Sequence, residues 1–322
     1  MRVITLLISL LSGLILLPSI SMAQAGGRLS YEKYASVKNT TLIVVMDSTD
    51  NEYNDRIKSV MNHYWKLMPV EYVQQKDLDE YARNTDYSML VRDRSERIRR
   101  TATASNVIRR NHLAMYHCDR GAFLKAYGGK EAVTQMEFAD IAATDAYSYK
   151  LGAIVQSMQH YLMFLDTADI TEDTYEYKLD HFQNHQAGQL TSKTLWINEE
   201  DLPAYLTASD IQDVYPYQVR LVRREAIQAA IQDGLADVAF LHLGPEVEDI
   251  YVLSAAEGRV LYHRDPQEHK VLSKADFRQM AAVADSPPVL QETWSERLDK
   301  VGKFFQGGKK KKKGKADKES GE

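Results

Sequence analysis

The chain has 322 residues, 44% hydrophobic and 26% charged, enough apolar material for a sizeable core, and its single cysteine, Cys118, excludes an intramolecular disulfide. The formal net charge is −5, but it is uneven: residues 309–322 carry seven lysines against three acids, so once Arg2 of the leader is set aside the body 26–308 is about −10. An acidic body excludes nucleic acid as the main partner, because phosphate neutralisation needs a basic face.

Residues 1–25 read as a cleaved export signal. Arg2 gives a positive start, Val3 to Leu17 is an apolar run, Pro18 ends it, and Ala23-Gln24-Ala25 supplies small residues for a signal peptidase. The run is short of the roughly 20 residues that span a bilayer, and no later stretch approaches that length. A soluble periplasmic or secreted protein is expected. Residues 26–37 read as a poorly ordered lead-in.

Thr41 to Met46 is a continuous apolar, β-branched run, the pattern of a strand covered on both faces. Asp47-Ser48-Thr49-Asp50 supplies turn and N-cap chemistry, and Tyr53, Ile57, Val60, Met61, Tyr64 and Trp65 recur at helical spacing until Pro69. Val70 to Val73 predicts a second strand, a short helix follows from Lys76, and Tyr87 to Val91 predicts a third strand. An arginine-rich stretch over 92–110 leads to a fourth, His112 to Cys118. With Asp93 and Glu96 interleaved, that stretch reads as a solvated or internally paired surface. Cys118 is expected to be buried.

Residues 128–189 read as a helical linking segment. Leu151, Ile154, Val155, Met158, Tyr161, Leu162 and Leu165 form an apolar stripe at spacings of three and four, suited to packing across both halves of the chain. Positions 151, 158 and 165 also keep a seven-residue step, which makes a self-associating structural protein, using a 141–166 helix, one alternative.

The second half repeats the rhythm. Thr194 to Asn198, Pro216 to Val222 and Asp237 to His242 match the first three strands, Glu225 to Ile231 is helical, and Tyr251–Ser254 with Arg259–His263 forms a hairpin around Ala256-Glu257-Gly258. Tyr116-His117-Cys118-Asp119 resembles Tyr262-His263-Arg264-Asp265. The fold class expected is therefore α/β, with two similar Rossmann-like lobes at 38–127 and 190–283 from an internal duplication. Pro287-Pro288 precedes a docking helix over 288–306, and Gly307-Gly308 releases a lysine-rich, disordered tail over 307–322.

No nucleophile elbow, phosphate loop, metalloprotease motif or paired-cysteine metal site is present in the sequence, and no cofactor is implied. Ligands of open α/β sheets bind beyond the carboxyl ends of the strands, which nominates Asp47 and Ser48 in the first half and Asn198 and His242 in the second, in one shared cleft if the halves face each other. His181 and His185, four apart on a helix, could hold a metal with Asp180 or a distant carboxylate as a third ligand, in a metal-assisted envelope hydrolase. His117 and His263 are strand-end histidines, expected to satisfy backbone groups on edge-like strands. Lys309, Lys310, Lys311, Lys312, Lys313 and Lys315 form a flexible cationic cluster suited to anionic lipid or polysaccharide. The expectation is a non-catalytic protein of the cell envelope that binds a ligand or partner.

Overall fold

A computed structural model describes residues 30–100, 105–118, 132–139, 148–168, 170, 174–244, 249–264 and 271–289. The leader, the helix expected in 288–306 and the lysine tail lie outside the described residues, apart from Pro288 and Val289. The described residues up to Pro287 belong to one compact unit. Among the described residues, no helix is long and apolar enough to cross a membrane.

The fold is mixed α/β, with two five-stranded mixed sheets. After helix α1 (Ser30–Val37), the first sheet is built from β1 (Thr41–Met46), helix α2 (Asn51–Tyr64), β2 (Val70–Gln74), a 3-10 turn over Gln75–Glu80, β3 (Tyr87–Arg100), β4 (Ser105–His117) and β5 (Thr134–Ala139). Helices α3 (Leu151–Thr167) and α4 (Tyr175–Asn184) follow. The second sheet is built from β6 (Thr194–Asn198), helix α5 (Ala208–Gln212), β7 (Val219–Val222), helix α6 (Arg224–Gln232), β8 (Val238–Leu243), β9 (Ile250–Ser254) and β10 (Val260–Arg264), and is closed by helix α7 (Lys274–Asp285).

The two sheets share one strand order, β2-β1-β3-β4-β5 and β7-β6-β8-β9-β10. Directions agree as well: the first three strands are parallel, and the last two add on antiparallel. The faces are used differently. Leu42, Val44 and Met46 of β1 turn to a core that also holds Ile57 and Met61 of α2, whereas Leu195 and Ile197 of β6 turn to a separate cluster with Ile211 of α5 and Phe277 of α7. On the remaining face of the first sheet, Ile43, Val45, Met89, Val91 and Ala114 pack with Leu78 and Ala82.

Helix α3 makes one core out of both halves. Its residues Leu151, Ala153, Ile154, Val155, Met158, Tyr161, Leu162 and Leu165 belong to the cluster that contains Leu42, Val44 and Met115 of the first sheet and Val238, Phe240 and Leu253 of the second. Tyr64 of α2 donates to the Ile231 carbonyl of α6 at 3.1 Å, a further link between the halves. The stripe read from the sequence is therefore packed inside the chain.

Several expectations are corrected. Ser30–Val37 of the lead-in is a helix, with Tyr34 and Val37 buried in the shared core. The segment 128–189 is not wholly helical, because Thr134–Ala139 forms the fifth strand of the first sheet. The arginine-rich stretch is no connector: β3 and β4 stay paired in register from Ser88↔His117 out to Arg100↔Ser105. His117 ends an interior strand, not an edge-like one, and the resembling Tyr-His pairs stand on strands of different rank, fourth in one sheet and fifth in the other.

Candidate functional site

Where β1 ends, the chain turns through Asp47 to Asp50 into α2, and side chains close that turn on itself. The Asp47 N–H donates to Asn54 Oδ1 at 2.8 Å, and Asn54 Nδ2 donates back to the Asp47 carbonyl at 2.7 Å. Asp47 Oδ1 accepts from the Thr49 N–H at 2.9 Å and the Thr49 hydroxyl at 2.8 Å. Asp50 caps α2 by accepting from the Tyr53 N–H at 2.9 Å. Such bonds satisfy backbone donors that a helix start leaves open.

Arg92 of β3 completes the arrangement. Its Nη1 donates to Asp50 Oδ2 at 2.7 Å and lies 3.7 Å from Asp47 Oδ2, and its guanidinium carbon sits 4.8 Å from the centre of the Tyr53 ring. The Arg92 side chain is 4% exposed, against 15% for Asp47 and 23% for Asp50. Nε and Nη2 of Arg92 are buried with no hydrogen-bond partner among the described residues. Burial pushes the Tyr53 hydroxyl well above its ordinary value, and Arg92 opposes that shift without reversing it.

Beside this group opens a pocket of about 280 Å³. Val45, Met46 and Val91 give it apolar walls, and Asp47, Ser48, Thr49, Gln75 and Arg92 give it polar ones. It lies beyond the carboxyl ends of β1 and β2, where open α/β sheets take their ligands. Its lining offers hydroxyl, carboxamide and carboxylate groups on a turn already held in shape.

Asp47 and Ser48 thus line one pocket, and Asn198 and His242 are not brought to it. The residues that line this pocket come from the first half of the chain. At the end of β6, polar side chains bond to one another. Lys150, fully buried, sends Nζ to Asp201 Oδ2 at 3.2 Å and to the Leu241 carbonyl at 3.1 Å, and Asn198 Nδ2 donates to Asp201 Oδ1 at 3.1 Å. His242 is fully buried, with its ring 6.0 Å from that of Tyr251, which in turn stacks on His263 at 4.3 Å.

The remaining histidines divide. His117 Nε2 lies 3.3 Å from the Thr85 carbonyl, a backbone partner as expected. His263 instead meets Gln183 Oε1 at 3.1 Å and has Asp249 Oδ1 at 3.7 Å. His181 and His185 stack ring on ring at 4.7 Å, and burial, followed by the neighbouring His185, lowers the His181 pKa. Asp180, one third ligand that the sequence offered, accepts from Asn184 at 3.0 Å, and no group of three metal-binding side chains occurs among the described residues. Sequence reading missed a buried trio: Tyr116 donates to Asp93 Oδ2 at 2.5 Å, and His112 Nε2 lies 3.4 Å from the same oxygen. Asp93 and His112 are 19 positions apart, and only the β3–β4 register sets them opposite each other. Cys118 is buried.

No family model matches this chain, and no curated protein and no solved structure is found to resemble it.

Proposed function

We propose that this chain is an exported, non-catalytic binding protein, and that the crevice at the end of β1 is where it takes a small polar ligand. The observation that carries the reading is the turn Asp47–Asp50, locked by Asn54, Thr49 and Arg92 beside a 280 Å³ pocket. A preorganised polar wall loses little conformational entropy when a ligand arrives. Export rests on Met1 to Ala25, and Lys309–Lys313 with Lys315 add contact to an anionic lipid or polysaccharide surface. The common strand order of the two sheets supports descent from a duplicated Rossmann-like unit.

The test is thermal melting of the chain against neutral, cationic and anionic metabolites, in parallel with Ser48→Trp, which fills the pocket from an exposed loop position. A ligand at one hundred times its Kd adds about 2.7 kcal/mol, or roughly 5–10 °C in Tm for a unit of this size. That rise is expected in the parent protein and not in Ser48→Trp. A panel that leaves Tm unmoved overturns the reading.

A further inference from the structure

We propose that the arginine-rich ribbon formed by the outer parts of β3 and β4 binds a linear anionic polysaccharide, at a site separate from the crevice at the end of β1. Pairing comes first. β1 pairs with β3 only as far as Leu90, and β5 with β4 only from Met115 to Asn111. Beyond those points the two strands, among the described residues, pair only with each other, from Ser95↔Arg110 out to Arg100↔Ser105. Residues 94–100 and 105–111 carry six arginines against Glu96, a charge of +5. The body 26–308 is about −10, so the rest of it is about −15.

Register then sorts the charges. Opposite residues of an antiparallel pair share a face, and successive residues alternate between faces. Asp93 stands opposite His112 and accepts from Tyr116, inside the sheet. Glu96 stands opposite Arg109, on the face that also takes Arg94, Arg100 and the pair Ile98 and Val107. The other face takes Arg110 opposite Ser95, Arg97 opposite Ile108 and Arg99 opposite Asn106. It is a row of one arginine per rung, at steps of about 7 Å, and neither interleaved acid falls within it.

A stepped row suits a chain of repeating anionic units, because the planar fork of arginine takes an oxyanion group two bonds at a time. Ser95 and Asn106 add a hydroxyl and a carboxamide to the same face, groups that donate and accept as sugar hydroxyls do. Residues 94–100 and 105–111 contain no Trp, Tyr or Phe, the residues that stack single-stranded bases and anchor proteins at a bilayer interface. A bilayer or a DNA duplex is broad, and would also face the acidic remainder of the body. A single polysaccharide strand is narrow enough to follow the ribbon. Ile108 and Asn106 stand roughly 10 and 17 Å along the strand from Asn111, the last residue paired with β5, against a Debye length of about 8 Å at physiological salt.

The experiment is calorimetry of the full chain at about 0.15 M salt with oligogalacturonate and heparin oligosaccharides, set against neutral dextran, a short DNA duplex and phosphatidylglycerol-containing vesicles. Two variants lose the same charge from opposite faces: Arg97→Ala/Arg99→Ala/Arg110→Ala and Arg94→Ala/Arg100→Ala/Arg109→Ala. Both keep the lysine tail, so its contribution cancels between them. At least one anionic oligosaccharide is expected to bind, more tightly than the duplex or the vesicles, and dextran not at all. The first triple should weaken that binding about 100-fold, at roughly five-fold per arginine, and the second within about five-fold. Arg99→Ala alone, with an expected loss of roughly five-fold, carries the test if circular dichroism shows the first triple unfolded. Equal losses in the two triples overturn the assigned face and with it the proposal. Tighter binding of duplex or vesicles, or no binding of either oligosaccharide, overturns the partner. Salt-sensitive self-association abolished by the first triple, with no oligosaccharide bound, assigns the ribbon to a second copy of the chain and overturns it as well. Ser48→Trp should leave oligosaccharide binding unchanged, so the crevice reading stands or falls separately.

Discussion

Asp50 does two things with one carboxylate. Oδ1 caps α2 through the Tyr53 N–H, and Oδ2 takes the buried guanidinium of Arg92. Loss of a cap costs about 0.5–2 kcal/mol, and loss of a hydrogen bond to a charged group about 1.5–3 kcal/mol. Asp50→Ala should therefore destabilise the chain by roughly 2–5 kcal/mol, read as a lower urea midpoint at unchanged slope. Asp50→Asn, which keeps the cap oxygen, should lose less. The sequence made Asp47, Ser48 and the N-cap turn legible, because those bonds span only a few residues. Arg92 was not legible as their partner. It reaches Asp50 across 42 positions, and in the sequence it looks like any other arginine of a basic stretch.

Among the elements, the β9–β10 hairpin is seated on α3 through Gly258. Its φ is +61°, and a Cβ there would stand 2.5 Å from the Ala153 carbonyl and 2.6 Å from Gln156 Cβ. Gly234, at the end of α6, has φ +62° with nothing within 4 Å of a Cβ. Both positions carry the left-handed cost of about 1–2 kcal/mol for an L side chain, and only Gly258 adds a clash worth a further ~1–3 kcal/mol. Gly258→Ala should thus lower the stability by clearly more than Gly234→Ala, as measured by denaturant unfolding of the two variants side by side. The strands β1, β2, β6, β8, β9 and β10 were readable because they are apolar and bounded by turn residues. The outer parts of β3 and β4 were not, since the charged and polar residues of 92–100 and 105–111 show no apolar alternation from which pairing could be read. The short helix α5 did leave a signal in Thr207 and Asp210, a capping box, as did α7 in Ser273 and Asp276.

At the scale of the molecule, two sheets of one topology turn opposite faces to a core threaded by α3. Because that core contains residues of both sheets, neither half should unfold by itself. Single-tryptophan variants retaining Trp65 or Trp196, both packed in or on the shared cluster, should melt at the same midpoint. Two separated midpoints would mean independent halves. Met158→Glu places a charge at the centre of that cluster and should lower both midpoints together, by roughly 3–5 kcal/mol, with no dependence on protein concentration. A helix used for self-association would instead show a concentration-dependent loss.

The sequence by itself determined the α/β class, the order of most elements, the apolar stripe of α3 and the polar turn after β1, because each is written in local periodicity and turn chemistry. Tertiary packing alone set that β5 joins the first sheet, that Asp93 meets His112, and that buried Lys150 pairs with Asp201 just past the end of β6. These depend on strand register and on which face of a sheet meets a distant helix. A change of one residue in register or of one face alters them completely, and leaves the local pattern of the sequence as it was.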